Sequence, residues 1–469
     1  MKRKTVYLFI LLTIINISLS SWVSLIETEV NDHSMGIEQT IDGNYIVFGK
    51  IYESMNEHPE NVFFLMKVDI EGNMLWQEFL GGEFACNGGD IKVAPDGGFI
   101  IGASRTAYMY SHIYIAKTNP DGELEWENTF GQEGHSTGIS VACTNDSGYI
   151  VTGYTSLDQR DRNFYTIKVD ENGEEEWFNI YDTTTSDYGK SISTTNNGEF
   201  IICGEINGDI GLVKINSIGE EVWRNNYGGT DLDRGYDAVQ TGDGGFIAIG
   251  KTHSFPTVPG LYDAYLVKTD SEGNEEWYRT YNGDEAAEGK NIFQTIEGGY
   301  IFAGNSGVYT SYIVKTDEDG FEEWETYYTY GDYPQPTIDM CEAVDEGYVI
   351  CSSYYGNVLL IKLDNNGNVS IEENIIENNK KELYCFPNPF KYNTNISFSQ
   401  NIEYICNEEL IIYNIKGQKV KKFLNIKNKS SVIWNAKDDE GKDVSPGTYL
   451  FQLTTKNSNS EVKKMILLK

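Results

Sequence analysis

The chain has 469 residues and a formal net charge of −35 at pH 7, with 47 Gly, 32 Tyr and only 10 Pro. Residues 21–382 carry a formal charge of −43, whereas residues 383–469 hold 13 Lys against 8 acidic residues. So acidic a segment repels phosphate backbones and anionic membranes, which argues against nucleic-acid binding and favours cations, neutral glycans or basic proteins as partners. The seven Cys are scattered and odd in number, which argues against a disulfide framework.

Residues 1–20 have the pattern of a secretory signal peptide. They begin with Lys2, Arg3 and Lys4, continue as an apolar stretch through Ile17, and end on the small residues of Ser18-Leu19-Ser20. A basic start, a short apolar run and a small-x-small cleavage site predict an exported protein. No other apolar run approaches 18 residues, so no transmembrane segment is predicted.

Seven copies of one repeat fill residues 21–369 and predict an all-β fold. Each copy leads from a Trp through an acidic Gly-rich loop to an aromatic residue 23 or 24 positions later, which begins the next strand. A block of the form Lys-x-(Asp/Asn)-x-x-Gly also recurs, beginning at Lys67, Lys117, Lys168, Lys214, Lys268, Lys315 and Lys362. A period near 50 residues is typical of β-propellers, here with seven four-stranded blades.

The two ends of the repeat region complement each other. Trp22 has no Lys block before it, and the last block, residues 362–367, has no Trp after it. The strand at Trp22 is therefore predicted to complete the seventh blade, which closes the ring and leaves no long sheet edge exposed.

One Trp per blade at a fixed phase predicts blade-to-blade packing rather than ligand stacking. The Lys-x-Asp-x-x-Gly-x-x-x-Trp pattern resembles the Trp-docking repeat of quinoprotein dehydrogenases, a resemblance that concerns blade packing only. The structural Trp residues are Trp22, Trp76, Trp126, Trp177, Trp223, Trp277 and Trp324.

Loop lengths distinguish the two faces of the predicted propeller. The Gly-rich turn after the first strand and the Asp-x-x-Gly turn after the third are short in every repeat, whereas the loops of the opposite face vary in length. Variation confined to one face usually marks the binding face. Several Tyr fall in or beside these variable loops and are ligand-binding candidates: Tyr108, Tyr110, Tyr309, Tyr312, Tyr330, Tyr354 and Tyr355.

Three interpretations of these Tyr remain open. Tyr beside Asp and Asn can stack on sugar rings while the polar groups bond hydroxyls, which would give an extracellular glycan site. Tyr is also common in protein interfaces, so an extracellular protein is a second candidate. Ordinary surface Tyr is the third.

The sequence offers little support for a metal or for catalysis. The Asp-x-x-Gly turns, such as residues 317–320, resemble fragments of calcium loops but lack the distant bidentate acid, so turn capping is predicted and calcium is kept as an alternative. No other cofactor and no defined metal site are predicted. The five His show no metal-ligand spacing and no nucleophile partner, so we predict no catalytic residue and no enzyme.

A second, basic β domain follows a polar linker at residues 370–383. Short alternating runs in residues 384–469 predict a small immunoglobulin-like sandwich. The segment carries, in order, Pro387, Asn388, Pro389, Gly417, Gly447, Tyr449 and Lys464. In these motifs it closely resembles the type A C-terminal sorting domain of the type IX secretion system.

The resemblance implies what the tail does. It implies export across the outer membrane with the type IX machinery as a partner, followed by release or attachment at the cell surface. Together with the propeller, it predicts a secreted or surface-attached binding or adhesion module. The alternatives are a polysaccharide hydrolase or lyase with a site at the axial channel, which a ring of inward acids would favour, and a structural envelope protein.

Overall fold

The computed structural model describes residues 21–26, 32–51, 62–81, 85–107, 110–131, 135–156, 162–181, 187–283, 285–308, 310–329, 337–345, 347–369, 383–386, 390–391, 394–398, 409–423, 431–454 and 462–468. The predicted signal peptide and most of the predicted linker lie outside them. All regular structure in these ranges is β-strand, and the chain divides into two compact units after Ser370. No helix that could cross a membrane is found in the described part of the chain.

The first unit consists of seven four-stranded antiparallel sheets, which are the blades of the predicted propeller. Blades 1 to 3 are formed by β2 (Asp32–Gln39), β3 (Tyr45–Ile51), β4 (Phe63–Val68), β5 (Met74–Leu80); β6 (Ala85–Val93), β7 (Phe99–Ala107), β8 (Tyr110–Thr118), β9 (Leu124–Phe130); and β10 (His135–Cys143), β11 (Tyr149–Ser156), β12 (Asn163–Val169), β13 (Glu175–Tyr181).

Blades 4 to 7 follow the same order. They are formed by β14 (Tyr188–Thr194), β15 (Phe200–Ile206), β16 (Asp209–Ile215), β17 (Glu221–Tyr227); β18 (Asp233–Gln240), β19 (Phe246–Thr252), β20 (Asp263–Thr269), β21 (Glu275–Tyr281); β22 (Ala287–Gln294), β23 (Tyr300–Ser306), β24 (Thr310–Thr316), β25 (Glu322–Tyr328); and β26 (Asp339–Glu342), β27 (Tyr348–Tyr354), β28 (Asn357–Leu363) with β1 (Trp22–Ile26).

The N-terminal strand closes the ring, as the sequence predicts. β1 pairs antiparallel with β28 in a register that sets Trp22 opposite Lys362 and Ile26 opposite Val358. β1 thereby occupies the outer position that β5 occupies in blade 1. The first strands of neighbouring blades contact one another around the ring, so they form its inner wall.

Each blade docks onto the next through its Trp. The ring of Trp223 lies against Gly273 in the turn between β20 and β21, where a Cβ would meet it at 2.8 Å. Tyr227 and Asn225 donate hydrogen bonds of 2.7 and 2.8 Å to the carbonyl of Gly273. The same contact recurs in the pairs Trp22–Gly72, Trp76–Gly122, Trp126–Gly173, Trp177–Gly219, Trp277–Gly320 and Trp324–Gly367. The third-to-fourth strand turn of each blade is therefore the docking surface of its neighbour.

A belt of polar side chains links the first strands on the axis side. Nine residues before the aromatic that begins each second strand, the chain has Asp90, Ser140, Ser191, Asp237, Asn291 and Asp339, with Gly36 in blade 1. Asp339 accepts hydrogen bonds from the Ile37 backbone at 2.9 Å and from Asn291 Nδ2 at 2.6 Å, so it joins three blades.

Asp339→Ala is expected to lower the free energy of unfolding by about 3 kcal/mol, because it leaves the amide of the buried Ile37 and the half-buried side chain of Asn291 without their acceptor. Urea denaturation of the purified protein measures the change. Ser191→Ala is the matched control, since the Ala238 backbone that donates to Ser191 also donates to Asp237. If both variants lose the same free energy of unfolding, this would contradict the conclusion that Asp339 joins three blades.

The second unit has two sheets that share one core. β29 (Leu383–Phe386), β30 (Thr394–Phe398) and β33 (Ser431–Trp434) form one sheet, and β31 (Glu409–Asn414), β32 (Lys419–Phe423), β34 (Gly447–Thr454) and β35 (Lys463–Leu467) form the other. Trp434 from the first sheet packs with Ile412, Phe451 and Met465 from the second. The arrangement is a small β-sandwich, in agreement with the sequence.

Candidate functional site

The predicted Tyr candidates do not form one cluster among the described residues. Tyr110 is 46% exposed, and its ring contacts His135 of the next blade at 5.5 Å. Tyr354 and Tyr355 lie together in the turn between β27 and β28, with ring centroids 4.7 Å apart, and Tyr355 is 61% exposed. Tyr108, Tyr309 and Tyr330 lie outside the described residues.

Tyr312 is a core residue, so its assignment to the ligand-binding surface is wrong. It is 1% exposed and packs between blades 5 and 6, with its hydroxyl donating to Glu325 at 2.9 Å. The physical reason is its position in the repeat, three residues before the repeated Lys. The same position in other blades holds Tyr114, Tyr165 and Tyr265, which are also fully buried.

The Asp-x-x-Gly turns use their carboxylates on their own backbones. Asp317 Oδ1 accepts hydrogen bonds from the amides of Asp319 and Phe321 at 3.0 and 2.8 Å, and Gly320 has a φ of +77°. Asp69, Asp170, Asp270 and Asp364 make the same pair of bonds. Within the described ranges, no group of three His, Cys, Asp or Glu side chains is arranged to hold a metal ion.

Basic residues of the propeller fall into two groups. Residues 21–369 contain 18 Lys and Arg. Seven are the repeated Lys of the third strands, and each forms an ion pair with a carboxylate in the first turn of its own blade: Lys67–Asp42, Lys117–Asp96, Lys168–Asp146, Lys214–Glu199, Lys268–Asp243, Lys315–Glu297 and Lys362–Asp345. These seven are structural, which leaves eleven.

Five of the remaining eleven converge at the inner ends of blades 3 to 6, on the face of the variable loops. We call Arg162, Lys190, Arg234, Lys251 and Lys290 the basic patch. Lys190 and Lys290 are the extra residues of β-bulges in the first strands β14 and β22, between Gly189 and Ser191 and between Gly289 and Asn291. A bulge re-aims a side chain, and here it lies on the strand that forms the inner wall.

Tyrosine rings hold the cations of the basic patch in place. Lys290 Nζ lies 3.6 Å from the centre of the Tyr236 ring, and Lys251 Nζ lies 4.4 Å from that of Tyr262. Arg162 stands over the rings of two further residues, Tyr154 and Tyr188, at 4.8 and 4.9 Å. Such cation–π contacts fix the charges before any ligand arrives.

Glu288 organises one half of the patch. Its carboxylate pairs with Lys290 at 2.7 Å and Lys251 at 3.0 Å and accepts a hydrogen bond from the Tyr236 hydroxyl at 3.1 Å. Burial opposes its ionisation, but the charges of Lys290 and Lys251 outweigh burial and lower the pKa of Glu288 to about 2. Glu288 is therefore a fixed anion at neutral pH.

Lys190 lies in the patch near Glu205, whose negative charge acts on it without forming an ion pair with it. Glu205 pairs with Arg234 at 2.9 Å, and the buried Asp187 accepts a hydrogen bond from the Asn207 amide. Lys190 forms no ion pair within the described residues. Its one close partner there is the Tyr188 ring at 5.5 Å. Burial, followed by the positive charge of Lys290, lowers the pKa of Lys190. Its charged form is thus destabilised in the absence of an added anion.

A surface pocket of about 660 Å³ lies beside the patch, between blades 4 and 5. It is lined by Asn207, Gly208, Asp209, Gly229, Thr230, Asp231, Leu232, His253, Gly260 and Leu261. Its three loops meet at the buried Asp233, which accepts hydrogen bonds from the amides of Gly229 and His253 at 2.9 and 3.1 Å and from the Ser254 hydroxyl at 2.7 Å. The pocket wall is therefore held by a buried carboxylate rather than by loop contacts alone.

Sequence reasoning missed the patch and the pocket, although a signal was present. Lys190, Tyr236 and Lys290 all stand ten residues before the aromatic that begins the second strand of their blade. Aligning the repeats on that aromatic would have shown three large polar side chains at one inner position of three consecutive blades.

The second unit places the described sorting-motif residues in turns and strands. Gly417 has a φ of +74° in the turn between β31 and β32. The Tyr449 hydroxyl donates to the Ser445 carbonyl at 2.5 Å, a bond to backbone a few residues upstream. Gly447 begins β34 and Lys464 lies in β35. Pro387, Asn388 and Pro389 lie outside the described residues.

Solved structures that match the chain include a WD40 propeller domain. PorZ, described as an essential surface component of the type IX secretion system of Porphyromonas gingivalis, is 10% identical with a TM-score of 0.42, and the match covers 92% of this chain but 59% of PorZ. The WD40 propeller domain of Doa1 is 12% identical with a TM-score of 0.49, and the match covers 72% of this chain and 95% of that domain.

An α-L-arabinanase of Penicillium chrysogenum, solved with arabinobiose, is 11% identical with a TM-score of 0.43. The match covers 74% of this chain and 98% of the arabinanase. Identities and TM-scores this low imply nothing about what this chain binds or does.

The family comparison concerns the second unit. No curated protein matches the chain. Residues 384–468 match the secretion system C-terminal sorting domain. A tail of this family directs its protein to the type IX machinery, with which it interacts during export. Residues 384–468 thus belong to the secretion system C-terminal sorting domain family, and the chain is a β-propeller protein exported through the type IX system to be secreted or held at the cell surface.

Proposed function

We propose that this exported propeller is a binding module that holds an anionic extracellular ligand at the basic patch. The observation that carries the proposal is the convergence of Arg162, Lys190, Arg234, Lys251 and Lys290 in a domain that is otherwise strongly acidic. Cations scattered for solubility would be spread over the seven blades. Five cations against the three carboxylates of Glu288, Glu205 and Asp187 leave a local excess of positive charge, which attracts an anion.

The patch is also prepared for binding. Tyr236, Tyr262 and Glu288 hold Lys290 and Lys251 in position, so little side-chain freedom remains to be lost when a ligand arrives. Lys190 has no ion pair within the described residues, and its half-buried ammonium would gain most from an anionic partner. An anion placed beside Lys190 would give it an ion pair, which no carboxylate among the described residues provides.

Binding rather than catalysis is part of the proposal. A glycosidase needs one carboxyl group that is protonated near neutral pH and a second that is ionised. Glu288 is held ionised by Lys290 and Lys251, with a pKa of about 2, so it is a poor proton donor. The acids of the axis-side belt accept hydrogen bonds that link neighbouring blades, as Asp339 does.

The test is Lys190→Met, which removes the charge and keeps most of the aliphatic stem. Loss of a charge-assisted contact should weaken binding of an anionic ligand about tenfold or more. Since Lys190 is half-buried without an ion pair, the melting temperature should stay the same or rise. Biolayer interferometry against panels of acidic glycans, neutral glycans and acidic peptides measures affinity, and differential scanning calorimetry measures stability.

Lys50→Met is the matched control. Lys50 stands in β3 at the position that Lys251 has in β19, on the same face but outside the patch. It should leave the affinity unchanged. A ligand that is neutral or cationic, or an anionic ligand that Lys190→Met binds as well as the wild type, would refute the proposal.

A further inference from the structure

The basic patch and the pocket are one continuous surface. Tyr262 lies between them, with Lys251 Nζ 4.4 Å from its ring on the patch side and the His253 ring 5.1 Å away on the pocket side. Arg234 and Lys251 of the patch are each two residues from a pocket residue, Leu232 and His253. A ligand larger than a single anionic group would therefore contact both.

The pocket differs from the patch in charge. No Lys or Arg lines it, whereas Asp209 and Asp231 do, together with the amide of Asn207 and the hydroxyl of Thr230. Burial, and the charge of Asp233, raise the pKa of Asp209, so a second negative charge nearby would be unfavourable. Asn, Thr, Asp and the backbone of the lining Gly residues are groups that bond neutral hydroxyls.

His253 adds a directed hydrogen-bonding group to this wall. Its Nδ1 lies 2.9 Å from the Leu232 carbonyl, which can only accept, so Nδ1 carries the proton. In the neutral ring Nε2 is then an acceptor for a ligand hydroxyl. The apolar side chains of Leu232 and Leu261 are half exposed at the rim, where they can lie against the C–H face of a ring.

We propose that the ligand is an acidic oligosaccharide of mixed charge, with a uronate carboxylate at the basic patch and a neighbouring neutral sugar in the pocket between blades 4 and 5. This inference rests on the proposed function. A uniform polyanion is a poor fit, because its next charge would fall beside Asp209 and Asp231 and then over an acidic surface. A wholly neutral glycan would leave Lys190 without an anion.

The experiment is calorimetric titration of the full exported chain with defined tetrasaccharides. The probes are fragments of hyaluronan, chondroitin and gellan, which combine uronate with neutral sugars, each with its carboxyl-reduced counterpart. Tetragalacturonate is the uniform polyanion. At least one mixed tetrasaccharide should bind, and carboxyl reduction should weaken it about tenfold or more. Tetragalacturonate should bind more weakly than that mixed tetrasaccharide.

A pocket variant tests the second half of the site. Thr230→Trp places a large ring in the pocket without touching the patch, so it should weaken the bound tetrasaccharide about tenfold while leaving the weak binding of free glucuronate unchanged. Val308→Trp is the matched control, since Val308 is 66% exposed in a turn of the same face and does not line the pocket.

The outcomes separate this inference from the proposed function. Equal affinity for a tetrasaccharide and its carboxyl-reduced form, tighter binding of tetragalacturonate, or indifference to Thr230→Trp would overturn the mixed-charge site. If no glycan binds while an acidic peptide does so in a Lys190-dependent way, the inference fails and the anion site stands. If no anionic probe depends on Lys190, both fail.

Discussion

Removal of residues 21–26 is expected to open the propeller and lower its melting temperature by about 10 °C or more. The deletion takes away β1, the outer strand of blade 7, and with it the buried Val23 and Ile26 and the docking of Trp22 on blade 1. Burial of three such side chains contributes roughly 5 kcal/mol. It also exposes the edge of β28, which ring closure otherwise covers.

Calorimetry of the truncated and complete proteins measures the change. A synthetic peptide of residues 21–31, added to the truncated protein, is the control, since it can supply the missing strand and should restore much of the lost stability. An unchanged melting temperature, or no response to the peptide, would contradict closure of the ring by β1.

Gly273→Ala is expected to lower the free energy of unfolding by about 3 to 5 kcal/mol. An added Cβ would lie 2.8 Å from the Trp223 ring and 2.7 Å from Asn225 Nδ2, and Gly273 also has a φ of +79°. The blade would have to move away from its neighbour, which would also lengthen the bonds from Tyr227 and Asn225 to the Gly273 carbonyl.

Gly244→Ala separates the effect of the positive φ from the effect of the clash with Trp223 and Asn225. Gly244 lies in a turn of the same blade with a φ of +88°, and nothing stands within 4 Å of its added Cβ. It should therefore show only the cost of the backbone conformation, about 1 to 2 kcal/mol. Equal losses for the two variants in urea denaturation would mean that the Trp docking contact contributes little.

The ring could be predicted from the sequence because it depends on features that repeat. The seven Trp and the seven Lys blocks give the number of blades. Because the first Trp has no Lys block before it and the last Lys block has no Trp after it, they also identify the partner of the strand at Trp22. The sorting tail could be recognised because its motifs occur in order along one segment. Both arguments need only the linear order of the residues.

The basic patch could not be predicted in that way. A formal charge of −43 over residues 21–382 describes the whole domain and favours cations or neutral ligands. A bound ligand would instead be subject to the local positive charge of the basic patch. Lys190 and Lys290 are 100 residues apart, and only the ring brings their strands to the same inner wall. Their bulges are a second reason, because an extra residue breaks the alternation on which strand predictions depend.

The basic patch is a site that the sequence analysis misses, whereas Tyr312 is a core residue that it wrongly places at a site. Counting residues in the variable segment assigns Tyr312 to the ligand-binding surface, but that segment includes the first half of β24. The repeat indicates that Tyr312 is buried, because Tyr114, Tyr165 and Tyr265 occupy the same position in three other blades. A large aromatic at one repeat position indicates packing between blades before it indicates a ligand.

A crystal structure of the exported chain with the tightest-binding acidic tetrasaccharide would locate the ligand on the propeller. We expect a ligand carboxylate within hydrogen-bonding distance of Lys190 Nζ and the next sugar in the pocket beside His253. A ligand bound instead at Tyr354 and Tyr355, with the basic patch empty, would contradict it.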